Sequence, residues 1–139
     1  MNRHATLAVA VGLSLSVAPA LAAGGGSYSG RTSDRHAISF RTKGSKVTAF
    51  SLQSRFTCSN HSTFVAHATY RGLKISRGRF SAKFANPGGS LRTTITGAIR
   101  GKRASGSISR RATFNGARKL DPRGSLVCTS QTSWTARRR

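Results

Sequence analysis

The sequence predicts an all-β protein, a single antiparallel β-sandwich or small β-barrel of about seven or eight short strands. Three observations lead there. Apolar and polar residues alternate with a period of two through most of the chain. Turn-forming residues recur at short intervals between the alternating runs. Long connections rich in helix formers are missing, which argues against parallel βαβ units.

The chain opens outside that pattern. Arg3 lies in a short positive segment, and Ala5 to Ala18 form an apolar run closed by the A-x-A pattern Ala20-Leu21-Ala22. At 14 residues the run is short of the ~20 needed to span a bilayer. Residues 1–23 therefore read as a secretory signal peptide, cleaved near Ala22-Ala23 and followed by a Gly-rich leader over 24–27. One domain over residues 28–137 is expected, with 138–139 as a basic C-terminal end. No second apolar run reaches membrane length, so the mature chain is expected to be extracellular or associated with the cell surface.

The strands follow in order. Ile38, Phe40 and Thr42 alternate with Ser39 and Arg41; Phe50, Leu52, Phe56 and Cys58 share a parity opposite Gln53 and Arg55. Thr63, Val65 and His67 alternate with Phe64, Ala66 and Ala68, which suggests a strand covered on both faces. Phe80, Ala82 and Phe84 alternate with Ser81 and Lys83. Leu91, Thr93, Ile95, Gly97 and Ile99 oppose Arg92, Thr94, Thr96 and Arg100. Gly106, Ile108, Ala112 and Phe114 continue the pattern, with Arg110 on their parity marking a bulge or a rim. In the closing strand Leu126, Cys128, Ser130, Thr132, Trp134 and Ala136 share the core-facing side, leaving Arg137, Arg138 and Arg139 as candidates for a free basic tail.

Cys58 and Cys128 are the only cysteines, and in an oxidising compartment they are expected to pair. Both take the core-facing parity of different strands, so a bond would tie the last strand to the early part of the sheet.

Charge is the extreme feature of the composition. Twenty-four Lys and Arg face two acids, Asp34 and Asp121, for a formal net charge of +22. Such a chain repels itself and attracts polyanions. Arg41, Lys43, Arg55, Lys83, Arg92 and Arg100 take outward parities; Lys102, Arg103 and Arg137 to Arg139 add charge at turns and at the end, with Arg118, Lys119 and Arg123 in a further turn region. Guanidinium groups on neighbouring strands would match phosphate or sulfate bidentately. The candidate partners are teichoic acid, acidic polysaccharide, nucleic acid and anionic lipid head groups. Aromatic residues are few and needed for the core, so nothing favours base stacking.

Catalytic chemistry finds little support. Asp34 (in TSDRH) and Asp121 (in LDPRG) both sit in turn contexts where Asp bonds its own backbone. His36 stands beside Asp34 without an identifiable nucleophile. His61 and His67 read as one strand, at about 3.3 Å per residue some 20 Å apart and too far for one metal. GKRASG at 101–106 lacks the GK[ST] end of a phosphate loop and reads as a hairpin turn. The expectation is a non-catalytic domain without cofactor or metal. The alternatives are an interaction module with incidental charge and, less favoured, a secreted hydrolase.

The opening YSGRTSDRHAISFRTKGSKVTAFSLQSRFTC, the hairpins of ITGAIRGKRASGSIS and the closing CTSQTSWTARR together resemble a group of small secreted β-rich actinobacterial proteins. The resemblance covers residues 28–137 and implies a β-rich secreted domain; it supplies no catalytic residues.

Overall fold

The computed structural model describes residues 25–115 and 124–139, and in it nine strands form one antiparallel sheet. The segment read as a signal peptide lies outside the described residues, as do Arg118, Lys119, Asp121 and Arg123. The strands are β1 Gly26–Thr32, β2 Ala37–Lys43, β3 Lys46–Cys58, β4 Thr63–Tyr70, β5 Leu73–Lys74, β6 Arg79–Ala85, β7 Leu91–Arg100, β8 Arg103–Asn115 and β9 Ser125–Arg138. Their order across the sheet is β4-β3-β2-β1-β9-β8-β7-β6, with β5 paired to one end of β3. The all-β expectation holds. One continuous sheet takes the place of two separate sheets, and its longest strands reach 13 and 14 residues.

The centre of the sheet is a fork. At one end β3 pairs with β2, from Ile38↔Leu52 to Lys43↔Lys46. At its other end β3 meets β9 directly through Thr57↔Thr129 and Cys58↔Cys128. The β1–β2 hairpin is wedged between the two long strands, and the Cys58–Cys128 disulfide closes the fork just beyond it.

The sheet folds over so that one face encloses the core. Phe40 and Phe50 each lie 6.1 Å from Phe80 and within 5.7 Å of Trp134 (ring centroids), bringing β2 and β3 against β6 and β9. Tyr70 of β4 packs on Phe84 of β6 at 4.6 Å, and its hydroxyl is 2.8 Å from that of Thr93. Two inward-facing glycines make room for these rings. Gly97 and Gly106 are direct cross-strand partners; a Cβ on the first would overlap the Phe80 ring, and one on the second would lie 2.7 Å from Trp134 Cζ2. A second apolar cluster, Phe56, Cys58, Ala112, Leu126 and Cys128, surrounds the disulfide.

Three local expectations are corrected. β4 is an edge strand open on its outer face, where Val65 is 49% exposed because no layer covers it, while Phe64 on the opposite face stacks on Phe56 at 4.9 Å. Arg110 makes neither a bulge nor a rim: its register is continuous with Thr93 and Ser130, and the residue is only 4% exposed. Its guanidinium lies 4.8 Å above the Phe56 ring, and Nη1 donates to Ser54 Oγ at 3.0 Å and to the Ala66 carbonyl at 3.4 Å. With Ser54, Thr93, Ser130 and Thr132 also buried, a polar layer runs through the interior. His61 belongs to the turn before β4, with φ at +66°, and not to the strand that holds His67.

Candidate polyanion-binding surface

The outward face is best followed in rows across the strands. One row runs Thr69–Ser51–Ser39–Ser29–Arg137–Arg103–Arg100, each residue directly opposite the next from β4 to β7. The neighbouring row runs Arg79–Ala98–Ser105–Thr135–Arg31 from β6 to β1. Arg100, Arg103 and Arg137 thus stand on three adjacent strands, about 4.8 Å apart by sheet geometry. Like charges placed directly opposite one another destabilise a sheet. A bound anion would relieve that repulsion.

These residues line an open groove of about 710 Å³, walled by Arg31, Arg100, Arg103 and Arg137 and floored by small residues including Gly30, Ala98, Ala104 and Ala136. Gly30 lets β1 lie close against β9, because a Cβ there would run into the Thr135 carbonyl of β9. Adjoining grooves continue over β1 and β2 and add Arg41, Arg71 and Arg139.

The residues singled out in the sequence divide into separate groups. Arg41, Arg100, Arg103, Arg137 and Arg139 gather at this end of the outer face, and Lys102 occupies the β7–β8 turn beside it. Lys83, Arg92 and Arg55 are exposed on the same outer side but outside these grooves. Arg92 faces Arg111, which makes a second, smaller basic cluster at the other end of β7 and β8. Lys43 sits at the tip of the β2–β3 hairpin opposite Lys46.

The closing arginines do not form a loose tail. Arg137 and Arg138 are part of β9 and point to opposite sides; Arg138 donates to the Gly25 carbonyl through Nη2 at 3.3 Å. Arg139 donates through its backbone N–H to the Ser27 carbonyl at 2.9 Å and through Nε to Ser29 Oγ at 2.8 Å. Sequence reading passed over Arg31, Arg71, Arg79 and Arg111. The first lies in a strand with almost no apolar alternation, and the others carry no signal until register puts them beside their neighbours.

The acid–histidine pair has a structural role. Asp34 sits in the β1–β2 turn at the mouth of the fork and takes hydrogen bonds from both walls: the Arg55 N–H of β3 at 3.2 Å and the Thr132 hydroxyl of β9 at 3.1 Å. His36 Nε2 lies 3.8 Å from the same carboxylate. Burial pushes the Asp34 pKa up, but hydrogen bonds from Thr32, the Arg55 and Asp34 backbone and Thr132 outweigh it, and the net displacement is below the ordinary 3.8. A depressed folded pKa contributes stability that is fully present above the unfolded value and lost as pH falls through the folded one. Asp34→Ala is therefore expected to lower stability by about 1–2 kcal/mol at pH 7. The gap from wild type should narrow as pH drops below about 4, the ordinary carboxylate range. Denaturant unfolding of both proteins across that range checks this; a gap independent of pH contradicts it. Asp121, the other acid, lies outside the described residues. Among the described residues no group of three or more His, Cys, Asp or Glu could hold a metal ion, and no helix is long and apolar enough to cross a membrane.

Fold and surface together define a disulfide-linked all-β domain with an arginine-walled groove on its outer face. No family model, curated protein or solved structure matches the chain.

Proposed function

We propose that this is a secreted, non-catalytic β domain that binds polyanionic surfaces through its arginine-rich outer face. The observation that carries this reading is the convergence of Arg31, Arg100, Arg103 and Arg137 around one groove. Four guanidiniums with no carboxylate lining the groove leave a field that only an external anion can balance. Sulfate and phosphate groups suit the planar fork of arginine, and cell-wall polymer and acidic glycan carry them in series. The grooves over β1, β2, β8 and β9 are lined by hydroxyl, aliphatic and cationic side chains more than by rings, which weighs against base stacking as the mode of binding. The disulfide is compatible with an extracellular setting, and the N-terminal charge, apolar run and A-x-A pattern support export. Membership in the secreted actinobacterial β-rich group is part of the same proposal.

The test is retention on a heparin column. Wild type should elute well above physiological salt, about 0.15 M. Arg100→Ser/Arg103→Ser/Arg137→Ser should elute substantially earlier, since each lost contact flattens the salt dependence. Elution of the wild type near physiological salt, or an unchanged position for the triple variant, would count against the reading.

A further inference from the structure

The outer face of β7 and β8 carries basic residues at both ends and none between. Arg100 and Arg103 mark one end and Arg92 and Arg111 the other, each pair directly opposite across the same two strands. Between them the outward positions are the pairs Thr94–Ser109, Thr96–Ser107 and Ala98–Ser105. No charge and no aromatic ring interrupts this track, and the register runs through it without a bulge. Thr96 and Ser107 hydroxyls bond to each other at 2.7 Å, so the track is tied together across the strands. Arg92 and Arg100 are eight residues apart in one strand, a span of about 26 Å at roughly 3.3 Å per residue.

We propose that one linear, base-free polyanion, a sulfated or phosphorylated glycan, lies lengthwise along β7 and β8 and engages both arginine clusters at once. The proposal rests on the polyanion reading above and adds the direction of the chain and a minimum length. The hydroxyl track suits a chain bearing its own hydroxyls, because it offers donors and acceptors without repelling or stacking against the ligand. A polymer held at one cluster meets the other at a high effective concentration, but only if it is long enough to reach. Shorter chains use one cluster at a time. Affinity should therefore rise in a step with ligand length, beyond the gradual gain that comes from extra binding registers.

The experiment measures affinity for heparin oligosaccharides of graded length, on either side of about 26 Å. It uses wild type, Arg92→Gln/Arg111→Gln and the charge-matched control Lys43→Gln/Lys46→Gln. All the substituted side chains are exposed, and equal thermal midpoints would show that folding is intact. Wild type and the control should gain about tenfold or more across the threshold. The Arg92/Arg111 variant should lose that step while keeping the short-ligand affinity. A smooth length dependence in wild type overturns the bridging proposal and leaves polyanion binding standing, as does a step that survives in the Arg92/Arg111 variant. Single-stranded DNA of equal length binding more tightly, with the same step, would overturn the glycan assignment. Failure of every heparin length to bind wild type would bring down the underlying reading as well.

Discussion

Trp134→Ala is expected to lower the unfolding free energy by about 3–5 kcal/mol, the range for truncating a buried large aromatic. Trp134 is 2% exposed, and its ring meets Phe40, Phe50 and Phe80 with centroids between 5.5 and 6.1 Å. It is the residue through which β9 touches both halves of the folded-over sheet. The cavity left by alanine cannot collapse easily, because Gly97 and Gly106 already thin the wall behind the rings and strand pairing fixes the backbone there. A domain of this size has a total stability of about 5–15 kcal/mol, so the variant should sit near the margin of folding. Denaturant unfolding followed by circular dichroism measures the loss; a decrease below about 1 kcal/mol would show that the aromatic cluster repacks. Trp134→Phe, which keeps a ring in place, should recover much of the difference.

Removing the disulfide is expected to cost about 4 kcal/mol in the chain-entropy account, for a bond that closes a separation of 70 residues. Its position makes the loss local as well as global. The direct pairing of β3 with β9 is short: Thr57↔Thr129 and Cys58↔Cys128, extended by hydrogen bonds from Ser59 N–H to the Val127 carbonyl at 2.8 Å and from Val127 N–H to Ser59 Oγ at 3.3 Å. Reduction should first expose the cluster of Phe56, Ala112 and Leu126 and then lower the unfolding midpoint of the whole domain. Cys58→Ser/Cys128→Ser should reproduce the drop without reductant. Hydrogen exchange would show faster opening at Thr57 and Thr129 than at the β7–β8 pairing. An unchanged midpoint in the double variant would falsify the account of the fork as a short junction that the bond secures.

Much of the architecture was legible because alternation is a physical consequence of a pleated strand with one wet face. β2, β7 and β9 carry clean alternation, and their expected and observed extents nearly coincide. β1 escaped because its inward positions are Gly26, Tyr28, Gly30 and Thr32, a set with one large side chain. Small residues are needed there because β1 passes so close to β9, and that closeness is a property of the assembled sheet. Arg110 was misread for a related reason. A charged side chain on the core parity normally signals an irregularity, and only a facing aromatic ring, a serine hydroxyl and a carbonyl from distant strands make its burial tolerable.

The arginine groove shows the same division. Composition made polyanion affinity the leading expectation, and parity put Arg41, Arg92 and Arg100 on the outside. Residue types and their spacing along the chain also set the all-β class, the outward arginines and the core-facing cysteine parities, since each of these depends only on local period and covalent order. Which arginines meet, that Arg137 lies beside Arg103 while Arg92 is a strand length away, and that β3 and β9 part to admit a hairpin and rejoin at a disulfide depend on register between strands far apart in the sequence. Register comes from packing all the inward side chains against one another at once, and no segment carries that information alone.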